Sequence, residues 1–308
     1  MTTLPDFFKL SKEVAAALKA GRPIVALEST VITHGLPQGE NLELARAMEE
    51  IVRKEGAVPA TIGVLAGRIC VGFEEAELER LARDSEARKL SSRDLAAAVA
   101  DKASGGTTVA ATLRVAAMAG LRVFATGGIG GVHRGGVWDV SADLQELARQ
   151  PLLLVCAGAK AILDLPATLE QFETLGVPVI GYQTDEYPAF YSIESGLPVS
   201  ARVDAPEGAA TLARSHWELG GGGMLLAAPP PAAAALPKRE VDAWIAQALV
   251  EAESQDIRGQ AVSPYLLKRV SELSDGRSLR ANLALLKNNA KIAAQVAKAL
   301  AKPKSKKV

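Results

Sequence analysis

Short apolar runs that close on Gly, Ser or Thr recur along the chain, with amphipathic stretches between them. Ile24 to Leu27, Thr61 to Leu65, Ile69 to Val71, Val123 to Thr126, Leu152 to Cys156, Val177 to Ile180 and Met224 to Ala227 read as strands. They are continuously apolar rather than alternating, which predicts burial on both faces, as in a sheet covered by helices. Such strands in alternation with helical stretches predict an α/β architecture. Helical periodicity is clearest around Leu44, Met48, Ile51 and Val52, with Asn41 placed to cap the start and Gly56 to take a left-handed conformation at the end. Glu74 to Arg88 reads as a solvated helix, and Thr107 to Ala119 as a small-residue helix packed on the sheet. Thr61 to Gly72, with Gly67 and Arg68 between two apolar runs, predicts a hairpin and hence a mixed sheet.

Further along, three successive prolines in APPPAAAALPKRE fix φ and remove backbone donors, so this segment is a loop leading into a helix near Val241 to Ala252. Leu279 to Ala301 is helical, and its Leu283, Leu286, Ile292, Val296 and Leu300 need a core or a partner subunit to cover them. The chain of 308 residues is read as one domain over 1–308, with a basic tail from about 302 to 308 that carries four lysines and frays into solvent. At 48% hydrophobic residues it can bury a sizeable core, which excludes wholesale disorder. Lys+Arg 35 balances Asp+Glu 35, which argues against nucleic acid or an anionic membrane as the main partner. Cys70 and Cys156 sit in apolar runs without metal-type spacing and are read as buried, reduced thiols. The N-terminus lacks an apolar leader region, and no later segment reaches about 18 uninterrupted apolar residues, so a cytoplasmic protein without a membrane span is expected.

Several segments bear residues capable of chemistry. In LLLVCAGAKAILDL a buried strand breaks at Gly158 and Lys160 follows, at the expected start of a helix beyond the strand's carboxyl end, the ligand side of an α/β sheet. Apolar neighbours and the positive end of a helix favour the free amine there, making Lys160 a Schiff-base candidate. A lysine whose stem packs while its head reaches solvent gives the same pattern. In ALESTVITHG, Glu28 follows an apolar run and precedes Ser29, Thr30 and Thr33, a position for a general acid or base or for a structural cap, with His34 as a further proton carrier. TGGIGGVHRGGVWDVSADL places six glycines after a strand, a loop able to bring N–H groups against an anion, without the spacing of a dinucleotide fingerprint or a P-loop. Asp139 and Asp143 either hold a hard divalent cation or cap the helix that begins near Ala142. GGTTVAATL, with Thr108 entering a helix, offers a site for a phosphate or sugar hydroxyl, and Arg88 to Arg93 supplies cations nearby. GYQTDEYPAFYS reads equally as an active-site wall or a subunit contact, and Asn282, Asn288 and Asn289 point to polar surroundings for the C-terminal helix.

Taken in order, ALESTVITHGLP, PATIGVLAGRICVGF, KLSSRDL, GGTTVAATL, FATGGIGGVHRG, DVSADLQELA, VCAGAKAILDLPATLE, GVPVIGYQTDEYPAFYS and ANLALLKNNA resemble the pseudouridine-5′-phosphate glycosidase family, also known as indigoidine synthase A-like, from about Ile24 to Ala293. The resemblance implies a three-layer α/β/α fold and a lyase that reversibly cleaves the carbon–carbon glycosidic bond of pseudouridine 5′-phosphate to uracil and ribose 5-phosphate. It implies Lys160 as the imine-forming amine and Glu28 as proton donor. It places substrate at Lys89, Thr108, Val109, Thr126, His133, Ser141, Ala142, Asp143 and Asn282, a divalent metal, usually manganese (Mn2+), at Asp139, and the chain in a homotrimer. Relative to the family, Gly135 to Trp138 makes a shorter, more apolar approach to Asp139, and AAPPPAAAAL replaces polar residues after GGGML. Two other readings stay open: a Schiff-base lyase on another phosphorylated sugar, and a non-catalytic sugar-phosphate sensor, against which the presence of both Lys160 and Glu28 argues.

Overall fold

The computed structural model describes residues 4–36, 38–135, 139–258 and 262–302. The predicted tail beyond Lys302 and the approach Gly136, Val137 and Trp138 lie outside the described residues. In chain order the first half runs β1 (Phe8–Leu10), α1 (Lys12–Lys19), β2 (Ile24–Leu27), α2 (Thr30–Thr33), α3 (Glu40–Lys54), β3 (Val58–Leu65), β4 (Arg68–Val71), α4 (Glu75–Arg83), β5 (Arg88–Leu90), a 3-10 turn (Ser92–Asp94), α5 (Leu95–Ala100), β6 (Gly105–Thr107), α6 (Val109–Met118) and β7 (Val123–Ala125). The second half continues α7 (Ala142–Arg149), β8 (Leu153–Cys156), α8 (Leu165–Thr174), β9 (Val179–Tyr182), β10 (Ala201–Val203), α9 (Pro206–Glu218), β11 (Met224–Ala227), α10 (Lys238–Ser254), α11 (Val262–Leu273) and α12 (Arg277–Ala301).

Among the described residues the strands form one sheet in the order β1-β4-β3-β2-β7-β8-β11-β9-β10, with β6 on β3 and β5 on β6. From β3 to β10 every pair on this path is parallel, and antiparallel pairing is confined to β3 with β4 and β3 with β6. The sheet is therefore mixed, as the hairpin implied. The hairpin turn is Ala66 and Gly67, both at positive φ, the two-residue geometry that follows strand twist, while Arg68 already belongs to β4. Helix α12 covers β2, β7 and β8, with α3 and α9 packed against it, and α6, with α7 beside it, packs on β2 and β3. The central strands are buried along their whole length, which is why they read as unbroken apolar runs. Leu286, Ile292 and Val296 of α12 are covered by this same core rather than by a partner.

Several boundaries differ from the pattern. β3 begins at Val58, upstream of the predicted Thr61, and β9 lies two residues downstream of the predicted start. Of the three-residue strands, β1, β5, β6 and β10 are too short to show a period and are not among the predicted strands. The helix predicted from Glu74 to Arg88 stops at Arg83, since Arg88 to Leu90 is recruited as β5. Gly39, not Asn41, caps α3. Asn41 is buried in its first turn and donates to the carbonyls of Ile32 and Ala82, tying α2 and α4 to α3. Gly56 does end α3 at positive φ, as expected.

Candidate active site

Polar residues gather where β2, β7 and β8 end side by side. Register decides this: Leu27 pairs with Ala125, and Ala125 with Val155, so Glu28, Thr126 and the segment Cys156 to Lys160 leave the sheet at one level. Parallel strands place all their carboxyl ends on one edge, the usual ligand side of such sheets. Glu28 and Lys160 are both half-buried there. Thr126 Oγ1 donates to Glu28 Oε1 at 2.7 Å, and Thr30 Oγ1 donates to Oε2.

β3 outruns β2, and its far half carries β6 in place of β2. Ser29 closes the step: its hydroxyl donates to the Ile62 carbonyl at 2.6 Å and accepts from the Thr107 N–H at 3.0 Å. Gly106 makes this crossing possible, because a Cβ there would lie 2.3 Å from Thr33 Oγ1 and 2.8 Å from the Ser29 carbonyl. Lys89 of β5 is registered opposite Gly106 and is thereby carried to the Glu28 edge. Lys89 retains solvent access, yet partial desolvation, followed by the charge of Lys160, lowers its pKa below the usual lysine range, while Glu28 and Asp143 act in the opposite sense. Lys160, Glu28 and Asp143 thus all lie within charge reach of Lys89. His34, hydrogen-bonded to Thr33 Oγ1 through Nδ1 at 2.7 Å, is lowered by burial and by Lys89. The other cations of that segment are engaged elsewhere, Arg88 with Asp101 and Arg93 with Asp94.

Lys160 is not at a helix start. α8 begins five residues later, at Leu165 behind its cap Asp164, so Lys160 is not in the first turn of that helix and the N-terminus of α8 does not account for a free amine. Its backbone is fixed instead by the glycine loop: the Lys160 N–H donates to the Ile129 carbonyl at 3.0 Å, and Ile129 N–H to the Gly158 carbonyl at 3.1 Å. The turn before it needs Gly158, at φ +87°, where a Cβ would lie 2.6 Å from the Pro188 carbonyl. Tyr187, wholly buried, accepts the Ala159 N–H on its hydroxyl at 2.5 Å. Tyr187, Ala189, Phe190 and Tyr191 are all buried within the chain, and the loop is tied to this turn by Tyr187 and by the Phe190 N–H, which donates to the Ala157 carbonyl at 3.2 Å.

Asp143 is 9% exposed and accepts on both oxygens, from the Ala110 N–H in the first turn of α6 at 2.9 Å and from the Gly130 N–H at 2.8 Å. The anion that the glycine loop holds is therefore the protein's own carboxylate. Ser141, lying between the two aspartates in sequence, caps α7 by accepting from the Asp143 N–H at 3.2 Å, with Ala142 as first helical residue. Thr108 caps α6 in the same manner and Val109 is its buried first residue. Thr107 is turned inward, donating to the Ile62 carbonyl. On α12, Asn282 Oδ1 lies against Gly127, and Asn289 is fully buried.

Asp139 stands apart, 59% exposed at its side chain, with His133 Nδ1 3.9 Å from its carboxylate. The strand-like stem pairing Val132 with Val140 joins these two to the loop. Among the described residues no group of three or more His, Cys, Asp or Glu gathers as a metal cage. A single exposed carboxylate beside an imidazole suits a hard cation that keeps most of its water. Thr30, one of the hydroxyls that the sequence sets beside Glu28, does meet its carboxylate, whereas Tyr187 lies inside a stretch the sequence marks but nothing local singles it out.

Residues 13–299 match the family described as indigoidine synthase A like protein. The chain is 56% identical to the pseudouridine-5′-phosphate glycosidase of Methylobacterium nodulans, over 94% of this chain and 86% of the relative. It is 52% identical to the enzyme of that name from Caldanaerobacter subterraneus subsp. tengcongensis, over 94% and 96% of the two chains. Among solved structures, the prealnumycin C-glycosynthase AlnA in complex with ribulose 5-phosphate superposes with a TM-score of 0.91 at 41% identity, covering 97% of this chain and 98% of that one. An indigoidine synthase A-like protein of Thermotoga maritima gives 0.88 at 36% identity, covering 98% and 100%. With sheet, edge cluster and nearly full-length similarity in agreement, the chain belongs to the indigoidine synthase A-like family.

Proposed function

We propose that this chain is a pseudouridine-5′-phosphate glycosidase, a lyase that reversibly cleaves the bond between C1′ and uracil C5 to give uracil and ribose 5-phosphate. The observation that carries the reading is the placement of Glu28, Lys89 and Lys160 at one strand edge, in a chain more than half identical to enzymes bearing that name. A C-glycoside has no oxygen or nitrogen leaving atom, so the two-carboxylate logic of ordinary glycosidases does not suffice. An amine solves the problem by supplying an electron pair.

In this reading Glu28 gives a proton to the ring oxygen as the C1′–O4′ bond opens, and Lys160 Nζ bonds to C1′ and loses a proton. The nitrogen pair then forms C1′=N as the C1′–C5 bond breaks, with C5 taking a proton, so uracil leaves intact. Water adds to the imine carbon and expels Lys160 as a free amine, leaving the aldehyde of ribose 5-phosphate. Lys89 supplies positive charge for the phosphate, beside the first turn of α6, whose Ala110 N–H is already held by Asp143. Asp139, with His133, would hold a hydrated divalent cation such as manganese, which supplies Lewis-acid charge compensation when bound. We expect a homotrimer from the family resemblance, to be checked by light scattering.

The test is uracil release from pseudouridine 5′-phosphate by purified protein with manganese, beside uridine 5′-phosphate. Release from the first alone, borohydride trapping of an adduct at Lys160, and loss of both in Lys160→Ala support the reading. Trapping with ribulose 5-phosphate but no uracil release would favour a lyase on another sugar phosphate, the reading that the AlnA complex suggests.

A further inference from the structure

α12 places Asn282, Leu286 and Asn289 in one stripe at i, i+4, i+7, facing the end of β7. Leu286 and Asn282 lie so close to Gly127 that a Cβ there would be 3.1 and 3.2 Å from them. Asn289, with no exposed surface, donates from Nδ2 to the Thr126 carbonyl at 2.9 Å and to the Gly127 carbonyl at 3.3 Å. Its own Oδ1 has no partner among the described residues. A core that carries an amide with one half unsatisfied bears a cost that leucine in the same space would avoid. The two donated bonds are where that cost has its return, and both fall on the peptide units that connect the catalytic elements.

Thr126 follows the last residue of β7, and its N–H still donates to Val155 at 3.1 Å, while Gly127 accepts from Ala157 at 2.9 Å. Between these anchors the chain turns from strand into the glycine loop. We propose that Asn289 is a positioning residue for the reaction: it fixes the Thr126–Gly127 peptide so that Thr126 Oγ1 meets Glu28 Oε1 and the loop beyond enters in register with Lys160. This rests on the role of Glu28 as proton donor given above. Asn282, one end of the stripe, faces the site; Asn289 acts from behind it, through Thr126, without touching substrate.

The experiment is a double-mutant cycle on uracil release from pseudouridine 5′-phosphate, using Asn289→Leu, Thr126→Val and the pair. Asn289→Leu is expected to lower kcat by about ten- to a hundredfold with KM held within about twofold. The double variant is expected to be no slower than the slower single variant, because both changes break one line of contacts. Losses that multiply, an unchanged kcat, or kcat and KM that both move with the thermal midpoint would overturn the proposal. Should Asn289→Leu not fold, Asn289→Asp asks the same question. A buried carboxylic acid regains one donor when protonated, so its activity relative to the parent protein is expected to rise as pH falls; a ratio flat with pH refutes the idea. An active parent protein with uncoupled variants sinks the positioning role alone, whereas a parent protein silent on pseudouridine 5′-phosphate sinks the functional reading and this one with it.

Discussion

Asp143→Asn separates two accounts of a residue at the centre of the cluster. The family resemblance assigns Asp143 to substrate, whereas the geometry gives it two backbone N–H donors, Ala110 at 2.9 Å and Gly130 at 2.8 Å. An amide keeps one acceptor oxygen and turns an NH2 toward the other donor, so one N–H of α6 or of the glycine loop is left facing a donor in a nearly closed space. A hydrogen bond to a charged group contributes about 1.5–3 kcal/mol, and a stranded buried donor costs a similar amount. Asp143→Asn is therefore expected to destabilise by about 2–4 kcal/mol, counting one bond lost and the second weakened with the charge. For a chain of this size each kcal/mol moves the thermal midpoint by roughly 2 °C, so the drop should be about 4–8 °C in differential scanning fluorimetry. Urea melts followed by circular dichroism give the free energy independently. An unchanged midpoint together with a KM for pseudouridine 5′-phosphate raised tenfold would refute the structural account and return Asp143 to direct substrate contact.

Gly106→Ala forces a methyl against Thr33 Oγ1 and the Ser29 carbonyl, so it is expected to lose several degrees of thermal midpoint and most activity by prising β6, and Lys89 with it, from the Glu28 edge; wild-type kcat would show that the crossing tolerates adjustment. Glu49 is buried and its pKa is raised, burial outweighing the Thr61 and Arg53 contacts that oppose it. A carboxylate whose folded pKa lies above its unfolded value opposes folding when ionised, so Glu49→Gln is expected to raise the midpoint at pH 8, with the gain disappearing as pH falls into the ordinary carboxylate range. A gain that grows toward acid would reverse that sign and reject the burial argument. Burial pushes the Cys70 thiol up to about 11 and the Cys156 thiol to about 12, so the folded protein is expected to resist Ellman's reagent at pH 8 and to release both thiols in guanidinium.

Much of this was legible in the sequence because it is local. Burial on both faces leaves unbroken apolar strands, so β2, β8 and β11 and the alternation with helices could be read directly, and Gly67 and Arg68 between two apolar runs announced a hairpin, one of the two antiparallel pairings on β3, although its turn is Ala66–Gly67. Lys160 and Glu28 stand beyond strand ends, where backbone leaves the sheet, and that position alone marked them as candidates.

What only the tertiary structure decided is pairing across distance. β5, β6 and β10 exist because neighbours offer them an edge, not because three residues with so little apolar pattern prefer it, and the helix expected around Arg88 lost that residue to β5 for this reason. Tertiary contacts also place the start of α8 at Leu165: Lys160 and Asp164 donate their N–H groups to Ile129 and Val132 of the glycine loop, and Asp164 then caps the helix by accepting the Ala167 N–H at 3.0 Å. In sequence Asp143 reads as a metal ligand, a helix cap or, by resemblance, a substrate contact; only the tertiary structure shows the N–H groups of α6 and the glycine loop that meet it. Asn289, 163 residues beyond Thr126 in the chain, carries no local signal beyond being an amide in a helix. Periodicity reports which face of an element is buried; it is silent on which polar group will be waiting there, because that depends on the register of strands and the packing of helices that the whole chain settles together.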